Sequence, residues 1–154
     1  MRIFLICKVR GCSSEEYERQ RTYVEERRGQ GDFVHWPHRD TKQKDPTHGT
    51  AICRTTFWAI FGADEIHVMF DPTSQGFLAD MMMVFALNEL GSRFLARTVR
   101  EIIGQRRVVI VNPEVVDKKI AEEIADQIKK GIDPKFAKSY TMVLKNLAEE
   151  TGRV

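Results

Sequence analysis

The sequence lacks any long hydrophobic run. No apolar stretch approaches the roughly 18 residues that a membrane-crossing helix needs, so no contact with a membrane is expected. Ile3-Phe4-Leu5-Ile6-Cys7 is too short for a signal-peptide core, and no cleavage pattern follows it. Cysteine is scarce, with three in 154 residues, and an odd count argues against a disulfide framework. Together with a start at Met1 and no leader, this predicts a reduced, cytoplasmic protein. Strong charge of either sign is also missing. A formal net charge of +2 does not favour a nucleic-acid binder. There is no Gly-x-Gly-x-x-Gly after the first apolar run and no P-loop, which weakens dinucleotide and NTPase readings. His35, His38, His48 and Cys53 match no strong zinc spacing. Neither a metal nor a cofactor is expected. Repeats and low-complexity segments are absent.

What remains is ordinary globular material, 42% hydrophobic and 30% charged. It has the length of a single domain, residues 1–154, with a real core. Strand character falls at residues 2–7, 32–36, 65–70 and 107–111, and residues 94–99 fit strand or helix. Most of the runs stop at proline: Pro37, Asp71-Pro72 and Asn112-Pro113. Helical patterns fill the gaps. Residues 14–28 start behind a Ser13-Ser14 cap, with acids first and bases last, and a thin stripe of Tyr17 and Val24 predicts a surface helix. Residues 50–61 and 76–90 are mostly apolar and are expected to be buried. Residues 113–154 supply two amphipathic helices, at 117–130 (Ile120, Ile124, Ile128) and at 134–149 (Phe136, Tyr140, Leu144, Leu147). Alternating strands and helices predict an α/β fold, a three-layer, doubly wound, mostly parallel sheet. The long polar loop at residues 37–49 suits either a lid or a plain mobile connection.

Ligands of open parallel sheets bind beyond the carboxyl ends of the strands. The loop after the third strand combines Asp71, Thr73, Ser74, Gln75 and Gly76 directly before a helix. Free backbone N–H groups there favour an anion. Asp80 follows Gly76 by four, among Phe77, Leu78, Ala79, Met81, Met82, Met83, Val84 and Phe85. A carboxylate in that company needs a partner or a reason, and partial burial would suit it to nucleophilic or general-base work. The plainer alternative has Thr73 and Ser74 capping the helix and Asp80 facing solvent beside Asn88. The loop after the first strand offers Lys8, Val9, Arg10 and Gly11, again either a ligand-binding turn or a solvated one. Cys7 fits the core and Cys12 an exposed position. Met81-Met82-Met83 fits core or a dimer face.

Phe4-Leu5-Ile6-Cys7-Lys8-Val9-Arg10-Gly11 followed by Glu16-Tyr17-Glu18-Arg19 resembles the opening of the deoxynucleoside 5′-monophosphate N-glycosidases. These belong to the nucleoside 2-deoxyribosyltransferase-like superfamily. Gly62-Ala63-Asp64-Glu65-Ile66-His67-Val68 is similar to that superfamily's Ala-Asp-strand segment. Ser74-Gln75-Gly76-Phe77-Leu78-Ala79-Asp80 resembles its Ser-x-Gly-x-x-x-Glu signature, and Ala86-Leu87 its Ala-rich helix end. The resemblance covers about residues 2 to 90. It implies a flavodoxin-like fold, often dimeric, that hydrolyses or transfers the N-glycosidic bond of a nucleoside or nucleotide. It further implies Asp80 as nucleophile, Ser74 and the Gly76 N–H at the 5′ end, and residues 8–11 along base and sugar. The runner-up is a nucleotide-binding module with impaired catalysis. Two departures stand out. The family nucleophile is Glu, and the Asp80 carboxylate reaches roughly 1.5 Å less far, in a setting where about 1 Å matters. The family's leaving-group acid falls at Arg54-Thr55-Thr56, which holds no carboxylate; His35 or His38, at the end of the second strand, could act as the acid instead.

Overall fold

The computed structural model of the chain describes residues 1–74, 76–90 and 105–152. Four strands, β1 (Arg2–Ile6), β2 (Phe33–His35), β3 (Glu65–Val68) and β4 (Arg107–Ile110), form one sheet in the order β2-β1-β3-β4. All three pairings are parallel, with Ile3 opposite both Val34 and Glu65, and Ile66 opposite Val108. The expectation of a parallel α/β sheet holds. The strands are shorter than the apolar runs because Pro37, Pro72 and Pro113 end them early. Residues 94–99 lie outside the described part of the chain.

β1 explains why both faces of the sheet are covered. Its last four residues are all buried. Phe4 and Ile6 enter one core with Ile60, Phe77, Val84, Val116 and Leu144; Ile3 and Leu5 enter another with Val24, Val34 and Trp36. A strand with one wet face would alternate instead. Burial of each such side chain is worth about 1.5–3 kcal/mol.

Among the described residues six helices surround the sheet: α1 (Ser14–Gly29), α2 (Pro37–Asp40), α3 (Thr50–Phe61), α4 (Phe77–Glu89), α5 (Pro113–Lys129) and α6 (Tyr140–Gly152). α1 begins with a capping box, in which the Ser13 hydroxyl accepts from Glu16 N–H and the Glu16 carboxylate accepts from Ser13 N–H. Three expectations need correction. The helix foreseen over residues 134–149 is a 3-10 turn, Pro134–Phe136, followed by α6. Asp133 caps that turn by accepting from Lys135 N–H, and the Ser139 hydroxyl accepts from Met142 N–H to start a new helix, leaving Tyr140 73% exposed. α3 is not wholly buried: it packs Thr56 and Ile60 inward and leaves Trp58 60% exposed. α4 shows Leu78, Met82 and Phe85 on its outer side while Phe77, Met81, Val84 and Leu87 are buried. No helix among the described residues is long and apolar enough to cross a membrane.

Candidate functional site

In the order β2-β1-β3-β4 the connections leave β1 and β3 in opposite directions, which opens a crevice at their carboxyl ends. A cleft of about 610 Å³ occupies that position. Lys8, Val9, Arg10 and Gly11 line it from the end of β1, and Ser74, Gly76 and Asp80 from the other side. Residues separated by more than sixty positions thus share one wall-to-wall space. Gly11 carries the turn with φ of +66° and has open space where a Cβ would stand, so ligand can approach the backbone closely.

Asp80 is the feature that sets the cleft apart. Its carboxylate is half-buried on the first turn of α4. Among the described residues, no hydrogen bond or ion pair engages it. Desolvation alone raises its pKa from 3.8 to about 7. The plainer expectation, a solvent-facing Asp80 beside Asn88, is overturned. Asn88 is buried, where its amide donates to the Arg106 carbonyl at 3.1 Å and its oxygen accepts from Arg106 N–H at 2.9 Å. Capping by Thr73 or Ser74 is also absent. Gly76 is the N-cap of α4, without a side-chain bond. The first amides of α4 keep their donor capacity toward the cleft.

Asp71 does not line the cleft; it braces it. Its carboxylate accepts from Thr73 N–H at 2.7 Å and the Thr73 hydroxyl at 2.6 Å, closing a turn after β3. It also lies 3.4 Å from Lys8 Nζ, whose other neighbour is Glu16 at 3.3 Å. Burial works to raise the Asp71 pKa, but the Thr73 bonds, Glu16 and Lys8 outweigh it and hold it below 3.8. Lys8 therefore faces two carboxylates, while no acid among the described residues pairs with Arg10. The end of β3 is fixed from β4 by a reciprocal pair: Asn112 accepts from Phe70 N–H and donates to the Phe70 carbonyl, each at 2.8 Å.

The residue 8–11 turn is held from below. Buried Gln20 donates to the Lys8 carbonyl at 2.9 Å and accepts from Trp36 Nε1 at 3.1 Å. His38 bonds the same carbonyl at 3.2 Å. Gln20 also donates to Cys12 Sγ at 3.6 Å, so Cys12 is half-buried where an exposed thiol was expected. Cys7 is buried, as core.

Residues 37–49 are not a bare loop. They begin with α2, and Asp45 folds back over the start of α3. The Thr47 hydroxyl and N–H, with the amides of Ala51 and Ile52, bind its carboxylate and push its pKa down to about 2. Pro37, Thr41, Gln43 and Gly49 of this segment line the cleft, as do Ile52 and Thr56 of α3. Sequence reasoning did not offer Gln43 or Thr56 as site residues; the length and polarity of the 37–49 loop were the signal for Gln43, and the place of Arg54-Thr55-Thr56 in the resemblance was the signal for Thr56. His35 does not line the cleft. It bonds the Thr41 hydroxyl at 3.1 Å, and burial lowers its pKa below 6.5. His38 does not line it either, so neither histidine fills the expected acid position. Asp80 is the only carboxylate lining the cleft among the described residues. No cluster of three or more His, Cys, Asp or Glu suited to a metal ion occurs among them. Comparison with family models, with curated proteins and with solved structures finds no match to this chain.

Proposed function

We propose that the chain acts on the N-glycosidic bond of a deoxynucleoside or its 5′-phosphate, with Asp80 as nucleophile, in a flavodoxin-like, doubly wound fold of the nucleoside 2-deoxyribosyltransferase kind. One observation carries this reading. A carboxylate with a pKa of about 7 and no partner among the described residues stands in the crevice between β1 and β3, which is also lined by Gly76 at the start of α4 and by Arg10. A carboxylate left without a counter-ion at such a place is poorly explained by stability and well suited to chemistry.

In this mechanism the ionised Asp80 attacks the anomeric carbon. The C–N bond breaks with its electron pair going to the base, through an oxocarbenium-like transition state. The resulting sugar ester yields to water, giving hydrolysis, or to a second base, giving transfer. Ser74 and the α4 amides would hold the 5′ end, and Arg10 a phosphate there. Incubation with deoxynucleosides and their 5′-monophosphates, followed by chromatography for free base, tests the reading. Release that is equal in wild type and Asp80→Ala, or no release at all, would sink it.

A second reading has its own support. With no other carboxylate on the cleft among the described residues, no strong acid stands ready to protonate the departing base, a contribution of typically a hundredfold or more. A nucleotide-binding module with weak or no turnover fits that. Saturable nucleotide binding by calorimetry without base release would favour it. The exposed Leu78, Met82 and Phe85 of α4 suit a homodimer contact, which sedimentation of wild type against Met82→Lys would test. Free Cys7, Cys12 and Cys53 fit a reducing, cytoplasmic setting.

A further inference from the structure

The 37–49 wall of the cleft carries chemistry that the Asp80 mechanism does not use. Gln43 has two amide hydrogens and commits both within its own segment. Nε2 donates to the carbonyl of Pro37 at 3.1 Å and to that of Thr41 at 3.0 Å. Turning the amide over would set its oxygen against two carbonyl oxygens, so the orientation is chemically fixed. What Gln43 has left to offer the cleft is Oε1, a pure acceptor.

The mount is firm. Asp40 accepts from Trp36 N–H at 2.8 Å, Arg39 donates to the Val34 carbonyl at 2.9 Å, and Asp45 is bound by the α3 amides. An independent observation points the same way. Thr56 on α3 lines the same cleft with a residue exposure of 6%. Among the described residues its hydroxyl has no hydrogen-bond partner, and it is not one of the fully buried polar atoms, so it stands open to whatever fills the cleft. The other residues α3 lends to the cleft, Ile52 and Cys53, are uncharged. The cation available to a phosphate, Arg10, comes from the β1 turn instead.

A fixed acceptor, an unused hydroxyl and an apolar flank suit a flat heteroaromatic ring with an N–H on its edge. We propose that Gln43 and Thr56 read the base, and that the cleft selects nucleotides whose base presents an N–H donor. This inference rests on the nucleoside reading above. A ligand without that donor leaves Gln43 Oε1 facing an apolar edge, which weakens binding by about tenfold or more.

Calorimetric titration with the four common deoxynucleoside 5′-monophosphates, with purine 2′-deoxyriboside 5′-monophosphate, whose base has no edge N–H, and with deoxyribose 5-phosphate tests it. The purine analogue is expected to bind about tenfold more weakly than the best natural nucleotide. The double variant Gln43→Met, Thr56→Val is expected to erase that gap while binding deoxyribose 5-phosphate as wild type does. Thr56→Val alone, nearly isosteric, is expected to narrow the gap should the double variant fail to fold. Equal binding of the purine analogue by wild type, or a gap that persists in the variants, overturns the base-reading role and leaves the Asp80 reading standing. Wild type that binds neither nucleotides nor deoxyribose 5-phosphate overturns both.

Discussion

The two faces of the sheet treat titratable groups in opposite ways. On the α1 face, His67 is 2% exposed and fully engaged. Its Nε2 bonds the Glu65 carboxylate at 2.8 Å, and Glu65 reaches Arg107 at 3.1 Å. A carboxylate only accepts, so the proton sits on Nε2 and Nδ1 accepts from the Tyr23 hydroxyl. Burial lowers the His67 pKa despite Glu65, which keeps the ring neutral. On the cleft face Asp80 is desolvated to a similar end but has no partner among the described residues, and its pKa rises to about 7. A satisfied buried network holds a structure together; an unsatisfied one is retained for what it does. Chemistry is expected at Asp80 and structural stability at His67.

The largest effect should separate the two faces by activity. Asp80→Asn is expected to lower base release by at least about a thousandfold, as loss of a nucleophile does. His67→Ala is expected to leave turnover per folded molecule nearly unchanged. Chromatographic rates on active-site-titrated protein measure both, and a His67 variant as inactive as the Asp80 variant would break the distinction.

Stability should reverse the ranking. His67→Ala strands the Tyr23 hydroxyl and the Glu65 carboxylate and opens a void, so urea unfolding is expected to show a loss of about 3 kcal/mol. Asp80→Asn removes a desolvated charge, so it is expected to gain about 2 kcal/mol at pH 8, once residual solvation is discounted. The pH dependences carry opposite signs. The raised Asp80 pKa means that the folded state holds a proton the unfolded state has already released, so its contribution to stability falls as pH rises from about 4 to 7. The lowered His67 pKa means that the unfolded state takes up a proton the folded state resists, so stability falls as pH drops below 6.5. The Asp80→Asn gain should therefore vanish near pH 4. Melting curves across that range that show a pH-independent gain would contradict the cause assigned to Asp80.

Much of this was legible in the chain. Short apolar runs closed by Pro37, Pro72 and Pro113 announce parallel strands, and Ser13 with Glu16 announces the start of α1. Asp80 was visible as a charge in apolar company, and the β1 and β3 loops follow from strand order alone. What was hidden depends on distance in sequence. Tyr23 meets His67 across 44 positions, and Asn88 meets Arg106 across 18. No local pattern encodes such pairs. Gln43 and Thr56 were hidden for the same reason. Their meaning comes from a wall that exists only after residues 37–49 fold back over α3. The break at residues 134–139 was missed because the apolar spacing continued through it, while Asp133 and Ser139 diverted the backbone.

The same contrast between partnered and unpartnered groups applies to the cations, on a smaller scale. Lys8 sits between Glu16 at 3.3 Å and Asp71 at 3.4 Å, so its charge is already balanced before any ligand arrives. Lys8→Met would leave two carboxylates facing each other, and its main effect is expected on folding, a lower urea midpoint than wild type. Arg10 is exposed on the cleft rim and has no acid partner among the described residues. Its guanidinium can meet a phosphate in two-pronged fashion without first giving up a bond. Arg10→Ala is therefore expected to weaken binding of a deoxynucleoside 5′-monophosphate by roughly tenfold while leaving the unphosphorylated nucleoside unaffected and stability unchanged. Calorimetry with the two ligands separates the cases. Equal weakening for both would assign Arg10 to the sugar or base, and no weakening for either would move the phosphate to the α4 amides alone, where Ser74→Ala is the variant that should then respond.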